Sequence, residues 1–202
     1  MIDAMAAEPS ADPAAVPASP GAPLLNAANV LTGLRFALVP VFAGLTLASG
    51  MADPGFRIAA CLTFAVASVT DYIDGWVARS RNLITGLGKV ADPIADKALT
   101  GTALLLLSAY RLVPWWVTIV ILVRELGVTT LRVVVLRRGV IPVSRGGKLK
   151  TAMQLFAIGW YLWPMPPVLG LAGPWLMYAA TLVTVVTGVD YAARAVKLWH
   201  SP

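Results

Sequence analysis

Apolar residues in this chain gather into six long runs, at about 30–50, 56–78, 93–110, 113–136, 149–166 and 171–195, parted by short stretches where charge, proline and glycine collect. A helix needs about 20 apolar residues to cross the hydrocarbon core of a bilayer, and each run approaches or exceeds that length. The pattern predicts an all-α membrane protein with six transmembrane helices. Residues 1–24 follow another rule. They are rich in Ala and Pro, carry Asp3, Glu8 and Asp12, and have no basic stretch ahead of an apolar core. A secretory leader is therefore not expected, and a disordered cytosolic tail is. The expected organisation is this tail followed by one six-helix domain over 25–202.

The basic residues orient the spans. Arg79, Arg81 and Lys89 follow the second run, with Lys97 nearby; Arg137, Arg138, Arg145, Lys148 and Lys150 follow the fourth; Arg194 and Lys197 lie at the C-terminal end. The alternate connections hold only Arg57 and Arg111, and none lies between the fifth and sixth runs. Cytoplasmic loops carry the excess of Lys and Arg, so both termini and the two basic loops are expected in the cytosol. Trp115, Trp116, Trp160, Trp163, Trp175 and Trp199 fall near span ends, where interfacial tryptophans anchor helices. Pro164, Pro166 and Pro167 mark the break before the last span.

Composition agrees. Hydrophobic residues are 58% of the chain and charged residues 13%, against about 25% charged in soluble domains. Mean hydropathy is +0.75. The net charge of +6 sits in short clusters between apolar runs, not in one solvated stripe, so no nucleic-acid partner is expected. The single cysteine, Cys61, lies in an apolar run and reads as a buried inert thiol; the single histidine is His200. That inventory excludes His-based zinc sites and Ser-His or Cys-His catalytic pairs. Carboxylates, hydroxyls and cations remain to do the chemistry.

Four of the ten acidic residues fall in one window, Asp71-Tyr-Ile-Asp74-Gly75-Trp-Val-Ala78-Arg79 followed by Gly88-Lys-Val-Ala-Asp92-Pro-Ile-Ala-Asp96. Carboxylates at the edge of a membrane repel one another unless cations lie between them. Asp71 and Asp74 are three apart and Asp92 and Asp96 four apart, spacings that put each pair on one helix face. A hairpin of the second and third helices would bring all four to one depth. Oxygen ligands without His or Cys favour Mg²⁺ or Mn²⁺ over zinc. Four carboxylates suit two such cations about 4 Å apart, an arrangement used in phosphoryl displacement. The bland reading is a set of capping or salt-bridging acids, with Asp92 capping a third helix whose first residue is Pro93. Gly75, Ala78 and Gly88 allow close approach of a helix or a ligand. Arg79 offers a planar fork for phosphate oxygens, and Thr85 a hydroxyl.

Asp71-x-x-Asp74-Gly75-x-x-Ala78-Arg79, eight residues, then Gly88-x-x-x-Asp92-x-x-x-Asp96 resembles the complete signature of the CDP-alcohol phosphotransferase family, over a stretch from about Asn26 to the C-terminus. The resemblance implies a six-helix membrane fold, homodimeric, with a dinuclear metal site facing the cytosol of a bacterial plasma (inner) membrane. It implies that Asp71, Asp74, Asp92 and Asp96 hold two divalent cations, with Asp96 also the base that deprotonates the acceptor alcohol. It implies that Gly75, Ala78, Arg79, Thr85 and Gly88 hold CDP-diacylglycerol, joined upstream by Asn29 and Thr32. Ala28 stands where the family commonly has proline.

Acceptor choice falls to the remaining cations. Arg124, Glu125 and Arg132 lie within the fourth run, where charge is costly. Arg124 is expected either to bind acceptor or to pair with Glu125 or an acid of another helix. Arg145 and Lys148 beside Gly146 and Gly147 read as a phosphate-binding edge, and Lys150 as a plain loop cation. Within the family, Val123-Arg124-Glu125, Ile141 to Thr151 with Gln154, and Asn29 to Arg35 with Pro40 resemble the branch that uses sn-glycerol 3-phosphate. Related branches use inositol phosphate, serine or phosphatidylglycerol. The rival from another class is a divalent-cation transporter, against which stands the clustering of the acids at one end of the spans.

Overall fold

The computed structural model describes residues 27–80, 86–135 and 145–200, with side chains for 30–71, 73, 94–131 and 146–197. The expected tail at 1–24 lies outside the described residues. Seven helices follow in order: α1 Ala27–Ser49, α2 Pro54–Ser80, α3 Gly86–Ala109, α4 Trp115–Val135, α5 Arg145–Leu162, the single turn α6 Pro167–Gly170 and α7 Ala172–His200. Six are long, and no strand occurs among the described residues. The six apolar runs thus correspond to six long helices, but charged flanks also join them. Helix α3 begins at Gly86 and runs through Pro93. Asp92 is therefore not the cap of a helix starting at Pro93, and that bland reading of one carboxylate is set aside.

Each long helix turns a stripe of small and apolar residues inward at the 3.6-residue period. The stripes include Phe42 and Thr46 on α1, Ala60, Phe64 and Ala67 on α2, and Leu99, Ala103 and Leu107 on α3. They continue with Val117 and Ile121 on α4, Ala157 and Ile158 on α5, and Met177, Ala180 and Thr184 on α7. The apolar members of the stripes form one continuous core. Helix α1 packs on α2 and α3, α7 on α4 and α5, and the two groups meet through α2–α5, α3–α4 and α3–α5 contacts. Two buried hydroxyls are satisfied inside their own helices: Thr46 and Thr181 each donate to the carbonyl four residues back, at 2.9 and 2.7 Å. Ser108 and Thr118 share a 2.6 Å hydrogen bond between α3 and α4.

The outer surface is apolar. Leu47, Val66, Ile119, Val123, Phe156, Leu182 and Val189 are all more than half exposed, spread over five helices, as suits a bundle in lipid and not one in water. Two segments, Val30–Ser49 and Pro167–Lys197, are long and apolar enough to cross a membrane by composition alone. Helices α2 to α5 each carry charge in their interiors. The helices are joined so that one end of the bundle gathers the aromatic residues. There Tyr110 Oη lies 3.4 Å from the Leu47 carbonyl, linking the ends of α3 and α1. Trp116 stacks on Tyr178 with ring centroids 5.8 Å apart, joining the starts of α4 and α7. Cys61 is half-buried, with Sγ 3.7 Å from the Gly159 carbonyl.

Capping at this end follows local rules. Asp53 Oδ1 accepts from the Phe56 N–H at 2.9 Å, an N-cap ahead of Pro54. Arg111, at φ +59°, closes α3 with Leu112 N–H donating to the Leu107 carbonyl at 2.9 Å. The C-terminus of α5 is closed from another helix. Arg57 on α2 donates through Nη2 to the Tyr161 and Trp163 carbonyls, at 2.9 and 3.0 Å, and through Nε to the Leu162 carbonyl at 3.3 Å. One guanidinium thereby meets the last two carbonyls of α5 and the Trp163 carbonyl just beyond it, at the negative end of the α5 dipole. Arg57→Met should lower stability by about 2 kcal/mol, the scale of charged hydrogen bonds to backbone. Thermal unfolding in detergent micelles checks this, and an unchanged midpoint would refute the clasp.

Candidate functional site

At the other end of the bundle the charges of different helices meet. Helix α1 places Thr32 and Arg35 on its buried stripe, three residues apart. The Arg35 side chain is fully buried, and its Nη1 lies 2.7 Å from Asp71 Oδ1 on α2, whose side chain is 40% exposed. A guanidinium without water needs a carboxylate at this distance, and the pair fixes the rotation of α1 against α2. Asp96 sits on α3 between buried Ala95 and Leu99. It lies within electrostatic reach of Lys97, Glu125, Lys150 and Arg35. Asp71 and Asp96 are thus brought into one charged neighbourhood with Arg35 common to both.

A second pair closes the opposite wall. Lys150 Nζ on α5 contacts Glu125 Oε1 on α4, both side chains largely buried. Arg124, next to Glu125, reaches α7 instead: its Nη2 donates to Thr187 Oγ1 at 2.9 Å, while Nη1 keeps only a long 3.5 Å contact with Glu125. The expected pairing of Arg124 with Glu125 is present as an ion pair at 3.5 Å. The arginine's strong partner is a hydroxyl of another helix, and Glu125 is engaged chiefly by Lys150.

The remaining candidates divide by what is described. Asp74, Gly75, Ala78 and Arg79 occupy the last turns of α2, and Gly88 and Asp92 the first turns of α3; their side chains lie outside the described residues, as do those of Asn29 on α1, Arg132 on α4 and Arg145 on α5. Thr85 lies outside the described residues altogether. Lys148 is exposed, whereas Lys150, two positions along α5, is buried. Residues two apart on a helix point about 200° apart, so the inward cation here is Lys150, which the sequence pattern places in a plain basic loop. Arg35 is likewise a buried cation that the motif spacing does not single out. The signal for it was present, an arginine in the middle of the first apolar run, where a charge must have a partner.

Chemically, the described residues offer carboxylate oxygens of Asp71 on α2 and Asp96 on α3, and no histidine or thiolate beside them. That donor set fits hard divalent cations such as Mg²⁺ or Mn²⁺. Behind the carboxylates stand arginine and lysine side chains suited to phosphate oxygens.

Comparison with known proteins agrees with this inventory. A model of the CDP-alcohol phosphatidyltransferase family matches residues 25–186. A Mycobacterium tuberculosis protein described as a probable phosphatidylglycerophosphate synthase is 50% identical over 174 residues, 86% of this chain and 83% of the relative. The CDP-diacylglycerol–glycerol-3-phosphate 3-phosphatidyltransferase of Bacillus subtilis is 35% identical over 184 residues, 85% of this chain and 95% of the relative. The Escherichia coli protein of the same name is 35% identical over 178 residues, 84% and 96% of the two chains.

The buried Glu125–Lys150 pair makes a test of the site's construction. Removing one partner strands the other charge, so Lys150→Met should destabilise the protein by about 3–5 kcal/mol. The double variant Glu125→Leu with Lys150→Met should recover most of that loss, because no charge is left unpaired. Chemical unfolding of the three proteins in micelles decides it; additive losses would mean the two side chains do not depend on each other.

Proposed function

The chain belongs to the CDP-alcohol phosphatidyltransferase family, and we propose that it transfers the phosphatidyl group of CDP-diacylglycerol to sn-glycerol 3-phosphate, giving phosphatidylglycerophosphate and CMP. The observation that carries the choice of acceptor is near-full-length similarity to the B. subtilis and E. coli transferases whose names specify that reaction. The complete aspartate ladder from Asp71 to Asp96 supports the reaction type.

In the proposed mechanism the free hydroxyl of glycerol 3-phosphate attacks the phosphorus that bears diacylglycerol. A new P–O bond forms there, the diphosphate bridge breaks, and CMP leaves with the electron pair. Asp96 accepts the hydroxyl proton as the alcohol becomes acidic in the transition state. Asp71, Asp74, Asp92 and Asp96 hold two divalent cations, Mg²⁺ or Mn²⁺, which when bound neutralise the diphosphate and the charge growing on the leaving phosphate. Arg79, Thr85, Asn29 and Thr32, with room made by Gly75, Ala78 and Gly88, hold the cytidine diphosphate end. Arg124, Arg132, Arg145 and Lys148 supply positive charge for the acceptor phosphate. Arg35 and the Lys150–Glu125 pair hold the walls of this space in place. No covalent intermediate is required. The protein works as a homodimer in the bacterial inner membrane, six spans deep, with termini and active site on the cytosolic side. The basic loops and the apolar exterior support that placement.

Asp96→Asn should cut CMP release from CDP-diacylglycerol by about 100-fold or more while the protein stays folded. Normal turnover in the purified variant would refute the base assignment. Acceptor identity is tested with a panel of glycerol 3-phosphate, inositol phosphate, serine and phosphatidylglycerol, each with Mg²⁺ or Mn²⁺. CMP release only with one of the last three would overturn the acceptor. Lys148→Ala and Arg132→Ala should raise KM for glycerol 3-phosphate more than KM for CDP-diacylglycerol; equal shifts would assign them elsewhere.

A further inference from the structure

Arg124 crosses from α4 to α7 at a point where α7 has no side chain. A Cβ added to Gly188 would lie 2.9 Å from Arg124 Cγ and 3.0 Å from its Nε. Contacts that short do not occur between real atoms, and Cγ is close to the root of the side chain, so a flexible tip cannot swing away to relieve them. The arginine stem therefore lies directly against the α7 backbone. One residue earlier, Thr187 Oγ1 accepts from Nη2 at 2.9 Å, while the same hydroxyl donates to its own helix at the Val183 carbonyl, 2.7 Å away. The threonine oxygen is thus oriented with its lone pair toward the guanidinium. One turn before Gly188, the hydroxyl of fully buried Thr184 and the Arg124 Nε have no hydrogen-bond partner among the described residues. Such buried donors carry a desolvation cost that an anionic or polar ligand would relieve. Arg124 and Asp96 both act electrostatically on Lys150.

We propose that Gly188 and Thr187 are positioning residues that seat Arg124 against α7, so that its guanidinium is held ready for the phosphate of the acceptor. The inference rests on the acceptor role given to Arg124 above, and it adds the last helix to the determinants of acceptor affinity. Gly188 supplies the groove and Thr187 fixes the rotamer. Neither touches substrate, and both act through Arg124 alone.

The test uses the full-length protein in micelles, with KM for glycerol 3-phosphate and for CDP-diacylglycerol measured separately. Gly188→Ala should raise KM for glycerol 3-phosphate by about tenfold, the scale of one lost charged hydrogen bond, and leave KM for CDP-diacylglycerol within about twofold. Thr187→Val should shift it in the same direction, and Thr187→Ser, which keeps the hydroxyl, should restore it; these two variants serve if Gly188→Ala fails to fold. In an Arg124→Ala background, where Cγ and Nε are gone, Gly188→Ala and Thr187→Val should change KM by no more than about twofold. A raised KM in Arg124→Ala alone, with unchanged KM in both α7 variants or with equal shifts in the two backgrounds, would overturn this inference and leave the acceptor role standing. An unchanged KM in Arg124→Ala would overturn the acceptor role and the seat with it.

Discussion

Charge without water must find charge of the other sign, and that constraint organises one whole end of this molecule. Arg35 is wholly enclosed, and Asp71 meets its guanidinium at 2.7 Å. Lys150 and Glu125 stand in the same relation across α5 and α4. These pairs are poor sources of net stability compared with apolar packing of the same volume. What they provide is specificity of rotation and depth. A leucine stripe can slide by a turn and still be buried, whereas an ion pair cannot. The Arg35–Asp71 pair thereby fixes α1 against α2, and the Lys150–Glu125 pair fixes α5 against α4.

Much of this was legible in the chain. The six apolar runs become six long helices, and the spacing of the aspartates reports which faces of α2 and α3 carry them, because both signals are local and periodic. Partner choice was not legible. Whether Arg124 meets Glu125, Thr187 or an acid elsewhere depends on which helices are neighbours and how each is rotated, and neither quantity is written in a single periodic pattern. Lys148 and Lys150 show the difficulty: two residues of the same type, two positions apart, separate into an exposed and a buried cation once α5 is known to be helical from Arg145. Pro93 misled for a related reason. Proline next to an acid is a good local sign of a helix start, yet the helix passes through it, since packing can outweigh one lost backbone hydrogen bond.

The two ends of the bundle divide the labour by residue type. One end carries tryptophan, tyrosine and capped helix termini, and its hydrogen bonds are mostly to backbone carbonyls. The other carries the side-chain ion pairs and every described carboxylate of the aspartate ladder. Between them lies the apolar core, in which the Thr46 and Thr181 hydroxyls donate to their own helices.

The clasp that Arg57 makes on the end of α5 sets the length of a ruler. Leu162, whose carbonyl it holds, lies twelve residues beyond Lys150, about 18 Å along a helix axis. With the far end of α5 pinned to α2, the height and bearing of Lys150 are fixed by counting residues back from that pin. Insertion or deletion of a single residue anywhere between them would turn the lysine by about 100° and shift it about 1.5 Å, taking it off Glu125 although every side chain was still present. The segment from Lys150 to Leu162 can therefore vary in sequence far more freely than in length.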